Sequence, residues 1–249
     1  MQSYTREARP PGALQRTLQD AVAMLVQDSA EYGFVGFTGA SVAAFAVVVL
    51  RLMHNAVSDA LVAPLVLAAG ALTLSTATMA FCRATENLQP DATEALGRLA
   101  ARPMAFARAW LPMAGALFVA GLALGLGGQW LGSWRFPLVM AVVALSALYV
   151  FSHSFYAVSV VTQRATVREA ELVATVLLGR TATLAALAWL PVLAPTLVAA
   201  LIAQITGFGV VSTAVVAFVG VMSMPAAAAV MSLLFFDAVK GALRAEART

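Results

Sequence analysis

Few residues in this chain have types and spacings suited to chemistry. There are two histidines and one cysteine among 249 residues, with 15 Lys and Arg against 12 Asp and Glu. His153 lies in the stretch "FSHSFY", with Ser152, Ser154 and Tyr156 as polar neighbours inside an otherwise apolar segment. An ionisable side chain at membrane depth is a functional candidate by default. A lone histidine without carboxylate or cysteine partners is nevertheless a poor metal or catalytic site, and a packed, hydrogen-bonded His153 is the competing reading. Arg108 stands just before an apolar run. It either snorkels to the cytoplasmic headgroups along its aliphatic stem or faces inward and holds an anionic group. Asp237 and Lys240 in "FFDAVKGALR" share a helix face and form either a local ion pair or part of a binding site. The ligand-binding candidates are therefore Arg108, His153, Tyr156 and Asp237. His54, beside Arg51 and Asp59, reads as a solvated turn residue. Cys82 has no second cysteine to pair with.

Catalytic motifs are missing from this list. The chain has no P-loop, no HExxH, no GxSxG and no carboxylate pair within an apolar run. The expectation is a non-enzymatic protein with no cofactor and no metal.

The elements that carry these residues follow from charge distribution. Hydrophobic residues make up 61% of the chain and charged residues 11%, less than half the roughly 25% of an ordinary soluble domain. Windows 32–50, 60–82, 109–134, 136–163 and 181–236 contain no Asp, Glu, Lys or Arg. A bilayer core of about 30 Å needs about 20 apolar helical residues. The windows predict an all-α polytopic membrane protein with six transmembrane helices, at 33–53, 58–82, 107–130, 136–161, 181–204 and 209–236. Unbroken apolar runs of this length exclude a membrane β-barrel, whose strands alternate.

Basic residues fall on alternate sides of these spans. Thirteen lie before span 1, between spans 2 and 3, between 4 and 5, or after span 6, and only Arg51 and Arg135 lie on the other side. That asymmetry predicts a multi-pass protein of the bacterial inner membrane with both termini cytoplasmic. It also accounts for the pI near 9.5 without nucleic acid. Alanine richness and 14 Arg to one Lys fit a GC-rich bacterial genome.

The chain also writes one helix twice. "AWLPMAGALFVAGL" begins at Ala109 and "AWLPVLAPTLVAAL" at Ala188, with seven of fourteen positions identical. An amphipathic stretch precedes each span pair. The first carries Leu14, Leu18, Val22 and Leu25 on one side. The second begins at Asp91 as N-cap and runs through Leu96 and Leu99 to Arg102, where Pro103 breaks it. The third runs from Thr166 to Arg180. The expected architecture is a single membrane domain of three units, at about 11–82, 91–161 and 166–236, each an interfacial helix followed by a transmembrane hairpin. Pro112, Pro191, Pro195 and Pro225 are expected to bend their spans. Gly33, Gly36, Gly39, Gly121 and Gly125 are expected to allow close helix contact.

The opening amphipathic helix and the closing "SLLFFDAVKGALRAE" of Ser232–Glu246 resemble the six-span membrane domains attached to some bacterial glycerophosphoryl diester phosphodiesterases, and their free-standing relatives of the YciC type. The family tends to have Tyr before the Asp and Leu-Arg after it, where this chain has Phe235, Phe236, Val239 and Lys240. The resemblance implies no catalytic residues, because the family's chemistry belongs to a separate soluble domain. The functional expectation is a protein that binds, senses or handles a lipid or amphiphile, or supports a membrane complex, with membrane lipids as partners. The alternative is a permease subunit working with a separate ATPase or other membrane-protein partner, the helix at 91–102 serving as coupling element.

Overall fold

A computed structural model of the chain describes residues 14–85, 91–101, 103–127, 141, 189–207 and 209–233. All elements among the described residues are α-helices. They are α1 (Leu14–Gln27), α2 (Ser29–Leu52), α3 (Ala56–Thr85), α4 (Ala92–Ala100), α5 (Pro103–Gly127), α6 (Trp189–Thr206) and α7 (Val210–Met222). Beyond a break at Ser223 the last helix resumes over 224–233.

Four of these helices are long and apolar enough to cross a membrane: Ser29–Leu52, Ala56–Phe81, Trp189–Thr206 and Val210–Leu233. They coincide with expected spans 1, 2, 5 and 6. The third expected span falls on α5, whose apolar part is the shorter Trp110–Ala123. Expected span 4, at 136–161, falls outside the described residues apart from Ala141.

The first hairpin turns as its residues dictate. Asn55 and Ser58 cap α3 reciprocally: Asn55 Oδ1 accepts from the Ser58 amide at 2.8 Å, and Ser58 Oγ accepts from the Asn55 amide at 3.3 Å. His54 takes the left-handed φ of 46° that the reversal needs, and it is exposed. Arg51 Nη1 meets Asp59 Oδ1 at 3.3 Å across the turn, both side chains partly solvated, so the pair contributes little.

α3 is the centre of the bundle. It packs against α5 on one side and against α2 and α7 on the other, and α2 in turn lies along α7. In lipid, helix association relies on close packing of small residues rather than on the hydrophobic effect. The seams are built accordingly. A Cβ at Gly36 would come 3.0 Å from the Met222 carbonyl oxygen, one at Gly121 2.9 Å from Ala60 Cα, and one at Gly39 3.1 Å from Thr73 Cβ. Gly33, expected to be a fourth such contact, has nothing within 4 Å of its Cβ position. The surroundings of Gly125 lie outside the described residues.

α1 and α4 sit at one end of this bundle. α1 runs into the start of α2, α4 follows the end of α3, and the stack of Tyr32 on Phe81 (centroids 3.9 Å apart, planes 9° from parallel) ties those two ends together. Asp91 caps α4, its Oδ1 accepting from the amides of Thr93 at 2.9 Å and Glu94 at 3.0 Å. Ala95 and Leu99 then pack on Met79 and Phe106. The expected apolar sides are divided between seam and surface. α1 docks through Ala21, Met24 and Leu25 while Val22 stays exposed, and α4 turns Leu96 outward. α4 docks through Ala92, Ala95 and Leu99, so alanines and larger side chains share the seams.

Pro225 explains the break in the last helix. It has no N–H for the carbonyl four residues back and its ring crowds the preceding turn. The chain interrupts at Ser223, whose hydroxyl donates to the Val219 carbonyl. Pro112, in contrast, is accommodated inside α5.

Candidate functional site

Within α3 the sequence "TLSTAT" spans 73–78 and places four hydroxyls in the interior of an apolar span. All four are buried. A hydroxyl in a membrane helix normally donates to the carbonyl four residues earlier. Thr73 does so to Ala69 at 2.8 Å and Thr78 to Leu74 at 2.7 Å, as does Ser232 to Ala228 at 2.7 Å beyond the break of α7. Ser75 and Thr76 do not: their hydroxyls have no hydrogen-bond partner, at 2% and 1% exposure.

Two indoles share this condition. Trp110 of α5 and Trp189 of α6 are 5% and 8% exposed and belong to one core cluster with Tyr32, Leu74, Phe81, Val192 and Met231. Neither indole N–H has a partner. An unpaired buried polar group costs about 1–3 kcal/mol, so four in one bundle mark its interior as chemically unusual. These groups are two obligate donors and two hydroxyls able to donate or accept, all neutral. They suit recognition of an oxygen acceptor. Acid–base or nucleophilic work would need a titratable partner, and windows 60–82 and 109–134 around them contain no charge.

Of the ligand-binding candidates read from sequence, only position 108 falls among the described residues. Position 108 lies in α5. At 100° per residue it falls on the opposite side of that helix from the stripe of Phe106, Trp110, Met113, Leu117 and Gly121. It shares that side with Met104, Leu111 and Val119, all well exposed. The Arg108 side chain itself, and His153, Tyr156 and Asp237, lie outside the described residues. Among the described residues, no group of three or more His, Cys, Asp or Glu could hold a metal ion.

One titratable group beside the bundle is perturbed. Asp28, at the junction of α1 and α2, makes no side-chain cap hydrogen bond, and burial raises its carboxyl above the ordinary value of 3.8.

The hydroxyl run of α3 carried a signal that charge patterning overlooks. Four Ser and Thr within six residues, in a window with no charged residue, is a dense polar insertion for a membrane span. Comparison with known protein families, curated proteins and solved structures returns no match for this chain.

Proposed function

We propose that the chain is a non-enzymatic bacterial inner-membrane protein that binds, senses or handles a lipid or other amphiphile, as a six-span bundle of three repeated units with both termini cytoplasmic. The observation that carries this reading is the pair of amphipathic helices at one end of the bundle. α1 and α4 dock through Ala21, Met24, Leu25, Ala95 and Leu99 and leave Val22, Val26 and Leu96 outward. An exposed apolar row on a short helix beside a membrane span belongs at the headgroup boundary. Two such helices form a shelf where an amphiphile's polar end meets its apolar one. The basic residues within or near these helices in sequence, Arg16, Arg83, Arg98 and Arg102, favour the cytoplasmic side for the shelf.

The test is purification of the full chain in a mild detergent, followed by extraction and mass spectrometry of retained molecules. A polytopic helical protein of similar size serves as control. A lipid or amphiphile class retained near one per chain, above the control, is the expected result. Retention no greater than the control overturns the reading, and an ATPase retained instead would favour the permease alternative. Orientation is read separately by cysteine labelling in a Cys82→Ala background. Asn55→Cys should react from the periplasmic side and Ser3→Cys from the cytoplasmic side only.

A further inference from the structure

We propose that the seam between α3 and α5, at the level of Ser75 and Trp110, binds the neutral carbonyl group of an otherwise apolar molecule. The proposal rests on the amphiphile reading above and narrows its ligand to one chemical class.

The two helices run antiparallel and touch where Gly121 meets Ala60. Eleven residues from that contact lie Trp110 on α5 and Ala71 on α3. Eleven residues make three turns plus about 20°, or about 16 Å of rise, so both positions stay on the facing stripes at one level. Ser75 lies one turn beyond Ala71. Helical side chains lean toward their own N-terminus, so on antiparallel α5 the Trp110 indole leans toward the level of Ser75. Trp110 and Leu74 are members of one buried cluster, as this register requires.

Both polar groups are almost wholly buried and unpartnered. Ser75 is distinctive because Thr73 and Thr78, on the same helix, satisfy themselves on their own backbone while it does not. The helices approach closely at the Gly121–Ala60 backbone contact, and toward α4 Phe106, Met79 and Leu99 pack together.

The donors select the ligand. An indole N–H only donates, so its partner is an acceptor. A buried phosphate or carboxylate would need a counter-charge. The facing stretches 60–81 and 110–121 contain none, and position 108 lies on the far side of α5. A ketone, quinone or ester carbonyl satisfies both donors without introducing charge.

The experiment titrates the detergent-purified full chain with decylubiquinone carrying 13C at its carbonyls, and in parallel with a short-chain phosphatidylglycerol. Equilibrium dialysis reads binding and infrared difference spectra read the carbonyl stretch. Saturable decylubiquinone binding is expected, with a carbonyl band moved to lower frequency than in detergent alone. Ser75→Ala should weaken binding about 3- to 10-fold. Trp110→Phe should abolish the band shift. Unsaturable binding, an unshifted band, or a shift that survives both Ser75→Ala and Trp110→Phe would overturn the proposal. Saturable phosphatidylglycerol binding without decylubiquinone binding would overturn it too, leaving the broader amphiphile reading in place. Absence of both would remove the two together. If Trp110→Phe does not fold, the wild-type band and the Ser75→Ala titration decide.

Discussion

The tightest helix crossing in the bundle offers a direct check on its packing. Gly39 of α2 sits where α3 and α7 converge, and a Cβ added there would overlap Thr73 Oγ1 and come 3.3 Å from Val221 Cγ1. Gly39→Ala therefore forces either a helix shift or rotation of Thr73 away from Ala69. Overpacking of this kind costs about 1–3 kcal/mol, and losing the Thr73–Ala69 hydrogen bond adds about 1 kcal/mol. Replacing glycine within a helix returns about 0.5–1 kcal/mol. The net expectation is a loss of about 1–3 kcal/mol. Gly33→Ala is the matched control: it lies on the same helix with nothing within 4 Å of the new methyl. It should gain about 0.5–1 kcal/mol, because only the propensity change remains.

Thermal unfolding in mild detergent, followed by size-exclusion of the surviving monodisperse fraction, should rank Gly33→Ala above wild type and Gly39→Ala below it. The double variant Gly39→Ala/Thr73→Ala removes the offending oxygen and should recover most of the loss, a coupling of about 0.5–3 kcal/mol. Equal midpoints for Gly33→Ala and Gly39→Ala would refute the convergence of the three helices at this point. Failure of Thr73→Ala to rescue would place the strain elsewhere.

Three further outcomes follow from single contacts. Asp91→Ala removes the acceptor of the Thr93 and Glu94 amides and should cost about 1 kcal/mol, read as faster hydrogen exchange confined to the first turn of α4. Asp28→Asn should abolish one component of the pH dependence. The raised folded-state carboxyl pKa means the folded protein binds this proton more tightly than the unfolded chain. Stability from this group therefore increases as pH falls toward the carboxylate range and decreases as pH rises through the folded pKa. Melting midpoints of wild type and Asp28→Asn should accordingly differ most at neutral pH, the variant being the more stable, and converge in acid. Arg108→Lys should leave folding and the retained amphiphile unchanged, because position 108 is on the exposed side of α5; loss of the amphiphile in both Arg108→Lys and Arg108→Leu, with folding intact, would make it a ligand contact.

Charge-free windows located α2, α3, α6 and the last helix, because a charge within the hydrocarbon is too costly to be placed there casually. Turn and cap chemistry was equally legible. His54 and Asp59 marked the reversal, Asp91 the start of α4, and Pro103 its end. The inward faces were not legible. In a soluble helix the apolar stripe marks the core, but in a membrane span lipid and core are both apolar, and hydropathy does not separate them. Hence Gly36 and Gly39 are packed and Gly33 is not, although their spacing is uniform. The same ambiguity hid Ser75 and Thr76.

The duplicated "AWLP" carries a consequence that neither copy shows alone. Tryptophan in a membrane protein prefers the headgroup boundary, where its ring is shielded and its N–H is wet. Trp110 and Trp189 are instead buried in one cluster, each with an unpartnered indole N–H. Each precedes a proline by two residues, Pro112 and Pro191. Burying an unsatisfied donor is unfavourable at either position, and the penalty is incurred twice in the same motif. A packing role alone would be met by phenylalanine, which fills nearly the same space without a donor. The indole nitrogen is the part of the motif that packing does not require, and so it is the atom on which a functional account of this chain has to turn.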